Sequence, residues 1–293
     1  MSDDVDLGWL VGFVEAEGSF ASKKGRPYFT LGQNDKQILE IVKSSFGFGT
    51  VRKAWRKGRS WRFTVYCKRG LESLINCFNG NLKTKSKRQQ FKRWIDLFNL
   101  NIRFKRKCYT FLETSLHVKG SLFDEGWLIG FAEGEGAFTY KKTDGWPFFT
   151  IVQNDKGILE TIKDFFGFGA VYKHCRRVDC RAWRYMVAHK WDNLNKLRDF
   201  FDGRLRMVSK QQQFEFWVSL FDHDHPIRVK GREHERLRSR QYYSHNPKKC
   251  IEAVKKWKRN NPEQVKEYKR KSWHKCKNRE KLKMEEAKRQ NLV

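Results

Sequence analysis

The chain contains the segment GWLVGFVEAEG at Gly8–Gly18 and repeats it almost unchanged as GWLIGFAEGEG at Gly126–Gly136. Each copy predicts an apolar helix, with Asp6 or Asp124 as its N-cap and the last glycine at the C′ position. Small residues recur at every fourth position, so each helix carries a stripe that lets another backbone approach closely. We expect the two stripes to pack against each other. The stripes consist of Gly8, Gly12 and Ala16 in the first copy and Gly126, Gly130 and Gly134 in the second.

The duplication continues far beyond these helices. The segment Phe29–Val51 pairs with Phe149–Val171, and the segment that starts at Asn81 pairs with the one that starts at Arg204. Units of about 100 residues are too long for solenoid repeats, which run about 20 to 50 residues. We therefore predict two duplicated domains, each with the order αββαββα, and an α+β fold.

Within the first copy, the patterns of apolar and turn-forming residues place the elements that follow the opening helix. A Gly-Arg-Pro turn predicts a hairpin, and a helix capped by Asn34 or Asp35 should stop at Gly47. A second hairpin and two helices complete the unit. The predicted segments are strands 20–23, 28–33, 50–55 and 61–67, and helices up to 46, 70–78 and 86–98.

Composition divides the chain further. We predict a first repeat at 1–100, a linker at 101–121, a second repeat at 122–222 and a basic, nucleic-acid-binding tail at 223–293. The net charge is +29, and 23 basic against 8 acidic residues from Arg228 onward put about +15 of it in the tail. Such a charge predicts a polyanionic partner, first nucleic acid and second an acidic membrane surface. Prolines after Asn246 and Asn261 favour short helices in the tail.

Other broad classes are excluded. No apolar run reaches the roughly 18 to 20 residues of a spanning helix, so no membrane partner is expected. The acidic N-terminus is unlike a presequence, so we expect no targeting signal. Seven cysteines, an odd number, favour an intracellular, reducing compartment. Cys175 and Cys180 lack a complete zinc ligand set and are expected to be free thiols.

Two acids stand out at the ends of the duplicated helices. Packing the stripes together would bring Glu17 and Glu135 close to each other at the negative ends of two helix dipoles, which is unfavourable unless cations lie between them. This predicts a divalent metal, although such a stripe in a single copy is more often ordinary packing. Glu15 and Glu133 lie about 200° around the helix and are expected at the interface edge or as helix caps.

The two copies of this motif, Leu10–Gly18 and Leu128–Gly136, resemble those of the single-chain, two-motif LAGLIDADG homing endonucleases and related intron maturases. The resemblance covers about residues 7–221. It implies a saddle of two antiparallel sheets and a metal-dependent DNA-cleavage site. In such proteins the final acid of each motif binds metal and the preceding carbonyl can also ligate, which identifies Glu17, Glu135, Ala16 and Gly134 as metal ligands. The implied ion is Mg²⁺, with Mn²⁺ as a substitute and Ca²⁺ supporting binding without cleavage.

The resemblance also implies further catalytic residues. Gln33 and Gln153, each in a repeated QNDK, match a polar residue that positions water. A lysine before the last helix matches Lys87 and Lys210, although Lys85 is an alternative whose counterpart is Val208. Plain phosphate contact is the competing interpretation of these lysines.

Basic residues in or beside the predicted hairpins are expected to bind DNA in the major groove, some at bases and many only at phosphates. Because the two halves differ in sequence, the DNA site should be asymmetric, and one chain should act as a monomer. The residues are Lys23, Lys24, Arg26, Arg52, Lys53, Arg56, Arg59, Arg62, Lys141, Lys142, Lys173, Arg176, Arg177, Arg181 and Arg184.

The leading hypothesis is therefore a site-specific homing endonuclease that cuts both strands of a long, asymmetric double-stranded DNA site. The alternative is an intron maturase, an RNA-binding splicing cofactor with little or no cleavage, which the aromatic residues of the basic tail favour. A non-catalytic regulator is disfavoured because both acids are present. The resemblance implies an organellar home, chloroplast or mitochondrion.

Overall fold

The computed structural model describes residues 6–55, 58–101, 108–113, 122–175 and 181–290. The chain divides into two compact units, Met1–Gly231 and Arg232–Val293. The first unit contains both copies of the repeat. No helix in the described ranges combines the length and the apolar character that a membrane crossing requires.

Both copies have the same order of elements, αββαββαα, in which the predicted αββαββα is followed by the second of the two closing helices. The first copy contains α1 (Leu7–Glu17), β1 (Gly18–Lys23), β2 (Arg26–Gln33), α2 (Lys36–Phe46), β3 (Thr50–Lys53), β4 (Trp61–Val65), α3 (Lys68–Phe78) and α4 (Lys85–Leu100). The second contains α5 (Leu122–Glu135), β5 (Gly136–Tyr140), β6 (Pro147–Gln153), α6 (Lys156–Phe166), β7 (Ala170–Lys173), β8 (Trp183–Val187), α7 (Trp191–Phe201) and α8 (Val208–Ser219).

Each copy builds one four-stranded antiparallel sheet, in the strand orders β1-β2-β4-β3 and β5-β6-β8-β7. The first hairpin turns at Lys24 and Gly25, both with positive φ, and pairs Lys23 with Arg26. The predicted Gly-Arg-Pro turn is therefore wrong by a residue, because a two-residue loop with positive φ at both positions matches the twist of the strands. Arg26 and Pro27 belong to β2.

Aromatic side chains fill the space between each sheet and its helices. Phe20 of β1 contacts Phe91 and Trp94 of α4, and Phe138 of β5 contacts Phe214 and Trp217 of α8 in the same way. All these rings are buried, each worth about 1.5–3 kcal/mol of transfer free energy. These contacts hold the last helix of each copy against its sheet.

The two motif helices α1 and α5 pack against each other along their small-residue stripes, as predicted. A Cβ on Gly12 would lie 2.0 Å from the carbonyl oxygen of Trp127, and one on Gly130 would lie 2.1 Å from that of Trp9. At Gly134 a Cβ would come within 2.3 Å of the Cβ of Ala16. The two helices therefore leave no room for larger side chains at these glycines, and their C-terminal ends meet.

Two local expectations at these helices are wrong. Asp6 caps α1 by accepting bonds from the amides of Gly8 and Trp9, but Asp124 lies within α5, which begins at Leu122, and pairs with Lys83. Gly18 is extended, with φ −78°, rather than left-handed, because β1 begins at this residue. It is small for a steric reason, since a Cβ would lie 2.7 Å from the carbonyl oxygen of Val14.

The helix α9 (Pro226–His245) begins in the predicted tail, yet its first turns pack on the second copy. The guanidinium of Arg228 lies over the rings of Trp146 and Trp191, 5.2 and 4.8 Å from their centroids. A Cβ on Gly231 would lie 2.5 Å from the backbone of Asp144. Contacts therefore extend the first unit to Gly231, beyond the predicted boundary at 222.

The second unit is helical. It contains the end of α9, then α10 (Pro247–Asn260) and α11 (Pro262–Gln290). Asn246 and Asn261 close the preceding helix by donating to the carbonyls of Tyr242 and Trp257, and the next proline opens the following helix. Basic helices that start at these two junctions are confirmed, but α11 is 29 residues long rather than short.

Candidate active site

The C-terminal ends of α1 and α5 bring six of the predicted site residues together. Gln33 donates a hydrogen bond to Glu17, and Gln153 donates one to Glu135. Lys87 and Lys210 each interact electrostatically with both carboxylates. The residues come from both copies, so a single chain assembles the whole cluster: Glu17, Gln33 and Lys87 from the first copy and Glu135, Gln153 and Lys210 from the second.

Burial dominates the ionisation of the two carboxylates. It raises the pKa of Glu17 above its ordinary value, and the charge of Glu135 raises it further. Burial likewise raises the pKa of Glu135. The glutamine hydrogen bonds and the two lysines oppose these shifts. The pair is thus held together at an energetic cost that a cation between the carboxylates would relieve.

The lysines show the opposite shift. Burial lowers the pKa of Lys87 and of Lys210, and the surrounding carboxylates oppose this effect. Lys87 donates to the carbonyl of Gly18 at 2.5 Å, and Lys210 donates to that of Gly136 at 2.6 Å. Each ammonium is therefore anchored one residue beyond the acid of its own motif.

Lys87 and Lys85 differ in their position relative to the acids. Lys85 is exposed at the first position of α4, and its counterpart Val208 is exposed at the first position of α8. Lys87 and Lys210 are half-buried and face the acids. The two copies agree at the lysine that contacts the cluster, and they differ only at the exposed position.

Glu15 and Glu133 serve as helix caps and as links between the copies, as predicted, and each also acts electrostatically on the lysine of its own copy. Glu15 accepts bonds from the backbone amides of Lys83 and Thr84, at 2.9 and 2.7 Å, and from the indole of Trp127 in the other copy. In the same way Glu133 accepts from the amides of Arg206 and Met207, both at 2.6 Å, and from the indole of Trp9. These buried acids cap the lysine-bearing helices and link the copies.

A second pair of acids was missed as site residues. Asp35 and Asp155 cap α2 and α6, as the sequence indicates for Asp35, but their second oxygens accept amides from α8 and α4 of the opposite copy. The repeated QNDK carried the signal, since each copy keeps the aspartate two residues after the site glutamine.

The donor set suits a hard cation. Within the described ranges, no group of three or more His, Cys, Asp or Glu side chains could hold a metal ion. Glu17 and Glu135 supply oxygen, and the carbonyls of Ala16 and Gly134 lie in the last helical turn, where helical partners are absent.

Cys175 is disulfide-bonded, so the expectation of a free thiol there is wrong.

The outer face of the first sheet is polar and basic. Arg62 of β4 lies opposite Arg52 of β3 and Gly32 of β2, and both arginines are exposed. The next row across the sheet is made of threonines, with Thr64 between Thr30 and Thr50. Other predicted DNA-binding residues are exposed on the strands, turns and connection of this sheet: Lys23, Lys24, Arg26, Lys53 and Arg59.

The outer face of the second sheet differs. The row that matches the arginines contains Val152, Arg184 and Tyr172, and Arg184 is half-buried and bonds His174 at 3.2 Å. Lys141 pairs with Asp144. Of the other predicted residues, the structure exposes Lys142, Lys173 and Arg181, whereas Arg56, Arg176 and Arg177 lie outside the described residues.

The two copies of the repeat match a known protein family. A sequence model described as LAGLIDADG endonuclease matches residues 10–98 and 128–221. These two segments contain the C-terminal parts of both motif helices, both sheets and nearly all of both lysine-bearing helices. Together they cover more than half of the chain.

Similar curated proteins are intron-encoded proteins of fungi. Probable intron-encoded endonuclease 4 of Neurospora crassa is 37% identical over 137 residues, which are 45% of this chain and 24% of that protein. Intron-encoded RNA maturase bI4 of Saccharomyces cerevisiae is 27% identical over 136 residues, 45% and 19% of the two chains. The match thus spans about a quarter or less of the length of these relatives.

Solved structures share the fold over most of the chain. The LAGLIDADG homing endonuclease I-GzeII in complex with its DNA target has a TM-score of 0.53 and 19% identity, covering 77% of this chain and 95% of that one. The LAGLIDADG meganuclease I-AabMI bound to uncleaved DNA has a TM-score of 0.56 and 19% identity, covering 75% and 91%. The predicted α+β fold of two pseudo-symmetric repeats is confirmed.

Proposed function

Because the chain belongs to the LAGLIDADG endonuclease family, we propose that it cuts both strands of a long, asymmetric double-stranded DNA site with the help of a divalent metal ion. The observation that carries the proposal is the meeting of two half-buried carboxylates, Glu17 and Glu135, with Lys87 and Lys210 facing both. All four groups come from one chain, so we propose that it acts as a monomer.

Members of this family generally use divalent metal ions, and the cluster fits one. Glu17 and Glu135, with the carbonyls of Ala16 and Gly134, offer only oxygen donors and too few of them to enclose an ion. Mg²⁺ keeps several waters and takes its remaining oxygens from substrate phosphates, so we propose Mg²⁺, with Mn²⁺ as a substitute and Ca²⁺ as a non-productive ligand. The chemistry supplied by such an ion is activation of water and charge stabilisation on the phosphate.

The chain's own residues act around that chemistry. The amide group of Gln33 donates to Glu17 and that of Gln153 to Glu135, so each glutamine orients a carboxylate. We propose that the carbonyl oxygen of each glutamine accepts from a reacting water. Lys87 and Lys210 hold positive charge beside the scissile phosphates. Their lowered pKa eases transfer of a proton to the leaving oxygen.

Recognition is proposed for the outer faces of the two sheets. Exposed Arg52 and Arg62 lie side by side on the first sheet, where guanidinium groups can bond guanine edges or phosphates. Val152 and Tyr172 take the matching row on the second sheet, where they favour apolar contact. These unlike faces support an asymmetric DNA site.

The test begins by finding a site. Selection of cleaved sequences from a randomised DNA library in Mg²⁺ should return one long, asymmetric sequence. On that duplex, Glu17→Gln and Glu135→Gln should each reduce double-strand cleavage by at least about a hundredfold. Duplex binding should persist or strengthen, because each change removes one of two repelling charges.

The matched control is Glu215→Gln, which removes the same charge from an exposed position on α8. It should cut like the wild-type chain. Cleavage at the wild-type rate by either motif variant would contradict the proposal. A loss of DNA binding large enough to explain the loss of cleavage would contradict it as well.

A second function is proposed because of the second compact unit. Its exposed aromatic residues stand on basic helices, and Trp257, Tyr268 and Trp273 are 50%, 74% and 56% exposed. Such rings among lysines and arginines can stack on unpaired bases. We propose intron RNA as the ligand, which fits the similarity to a named RNA maturase.

A splicing assay separates the two roles. A Glu17→Gln, Glu135→Gln double variant that still promotes splicing of the intron encoding it would establish the RNA role apart from cleavage. Splicing that is independent of the protein would reject that role. An organellar home for that intron, in a chloroplast or mitochondrion, stays a prediction.

A further inference from the structure

Two aspartates outside the metal cluster each join the two copies. One oxygen of Asp35 accepts the amide of Gln37 at 2.9 Å, and the other accepts the amide of Val208 in the second copy at 3.1 Å. One oxygen of Asp155 accepts the amide of Gly157 at 3.0 Å, and the other accepts the amide of Lys85 in the first copy at 3.0 Å. The arrangement is reciprocal.

These bonds complete the capping of the helices that carry the site lysines. At the start of α8, Glu133 takes the amides of Arg206 and Met207, and Asp35 takes the next amide, that of Val208. Three consecutive amides are therefore held by two carboxylates, one from each copy. Lys210 follows two residues later, and its ammonium faces Glu17 and Glu135.

The first copy repeats the pattern at α4. Glu15 takes the amides of Lys83 and Thr84, and Asp155 takes that of Lys85, two residues before Lys87. A residue of the opposite copy thus helps to fix the position of each lysine-bearing helix. A reacting group that is misplaced by about 1 Å can lose about a hundredfold in rate, so the register of these helices matters for chemistry.

We propose that Asp35 and Asp155 are positioning residues that set the lysine of the opposite copy, Asp35 for Lys210 and Asp155 for Lys87. The proposal rests on the proposed nuclease function for its consequence in catalysis. It assigns to the aspartate of each QNDK a role distinct from that of the glutamine two residues earlier. It also couples the two strand-cutting sites through the backbone.

Substitution by asparagine isolates this role. Asparagine caps a helix as well as aspartate does, so Asp35→Asn keeps the cap of α2. The two amides meet different oxygens of Asp35, however, and asparagine carries an NH2 donor in place of one of them, so the bond to Val208 is lost when the cap is kept. The same holds for Asp155→Asn at α6 and Lys85. The control is Asp164→Asn, an exposed position on α6.

The experiment measures cleavage of each strand of the selected duplex separately, with reference variants Lys210→Met and Lys87→Met. Asp35→Asn should slow the same strand as Lys210→Met by about tenfold and let a nicked product accumulate. Asp155→Asn should slow the other strand, in common with Lys87→Met. The Asp164→Asn variant should cut both strands at the wild-type rates. The proposal is overturned if an aspartate variant slows cleavage of both strands equally. It is also overturned if the variant slows the strand that depends on the lysine of its own copy, Lys87 for Asp35 and Lys210 for Asp155.

A second readout is independent of cleavage. Amide hydrogen exchange at Val208 should be at least about tenfold faster in Asp35→Asn, with Gln37 and Lys85 unchanged, and the pattern should be mirrored in Asp155→Asn. Unchanged exchange at Val208 overturns the proposal. If the wild-type chain cuts no duplex, the nuclease function fails by itself, and hydrogen exchange alone decides whether the aspartates hold these helices.

Discussion

The centre of the molecule and the outer faces of its sheets differ in how closely the two copies agree. At the centre, Glu17 matches Glu135 and Lys87 matches Lys210, each with the same partner type. On the outer faces, Thr64 at the middle of the threonine row in the first sheet corresponds to Met186 in the second sheet. The central groups thus match one for one, whereas the outer faces keep some pairs, such as Arg62 with Arg184, and lose others.

The difference has a physical origin. At the centre, each copy packs against the other, so one change must satisfy two sets of contacts at once. Backbone approach at Gly12 and Gly130 leaves no room for a side chain. An outer strand position faces solvent and can change alone. A symmetric centre with unlike outer faces is the expected result.

The largest effect is expected at the helix crossing. Gly12→Ala places a Cβ 2.0 Å from the carbonyl oxygen of Trp127, and backbone cannot move aside. We expect a loss of about 3 kcal/mol of unfolding free energy, the upper end of the usual range for overpacking, measured by urea denaturation. The control is Gly32→Ala, whose Cβ would lie 3.9 Å from its nearest neighbour and should change stability by less than about 1 kcal/mol. Equal losses would show that the crossing is not close-packed.

The next effect tests the indole bonds between the copies. Trp9→Phe leaves Glu133 with two backbone donors, and Trp127→Phe leaves Glu15 with the amides of Lys83 and Thr84 and the Thr84 hydroxyl. A hydrogen bond to a charged group is worth about 1.5–3 kcal/mol. Thermal and urea unfolding should therefore show a loss in this range for both variants, with the larger loss for Trp9→Phe. A larger loss for Trp127→Phe would contradict the count of donors.

The unlike sheet faces predict unlike base preferences. Arg62→Ala should relax preference in one half of the selected DNA site, by about 1–3 kcal/mol at one base pair. Arg184→Ala should act on the other half and more weakly, because Arg184 is half-buried and bonded to His174. Repeating the library selection with each variant measures both changes. Relaxation of the same half by both would break the assignment of one half-site to each sheet.

The smallest effect on site preference is expected from the second compact unit. A chain ended after Gly231 keeps Arg228 between Trp146 and Trp191 and loses only the basic helices beyond. DNA binding should weaken for all sequences, with a shallower dependence on salt, since each phosphate contact contributes about 0.9 to the log-log slope. Binding titrations across salt concentrations measure this slope. An altered cleavage site would contradict the division of roles.

Much of this architecture is predictable from the duplication. Periodicity and turn residues indicate both sheets and all the helices of each copy, and the glycine stripes indicate the crossing of α1 and α5. Local rules fail where tertiary contacts dominate. Asp124 is not a cap because α5 begins earlier and the carboxylate pairs with Lys83.

The candidate site is predictable in its acids and not in its supports. Glu17 and Glu135 follow from the motif, and Lys87 follows from the pairing of the repeats. The bond between Asp35 and Val208 joins residues 173 positions apart, and the bond between Asp155 and Lys85 joins residues 70 apart. No local pattern encodes such a pairing, because each aspartate already has a complete local explanation as a helix cap.

The central claim is that Glu17 and Glu135 hold divalent metal where the two motif helices end. It is tested most directly by anomalous X-ray scattering from crystals of the chain with its selected DNA duplex, grown with Mn²⁺. The account predicts anomalous density within coordination distance of both carboxylates and of phosphate oxygens on the two strands. Anomalous density elsewhere on the chain, with none beside Glu17 or Glu135, would contradict it.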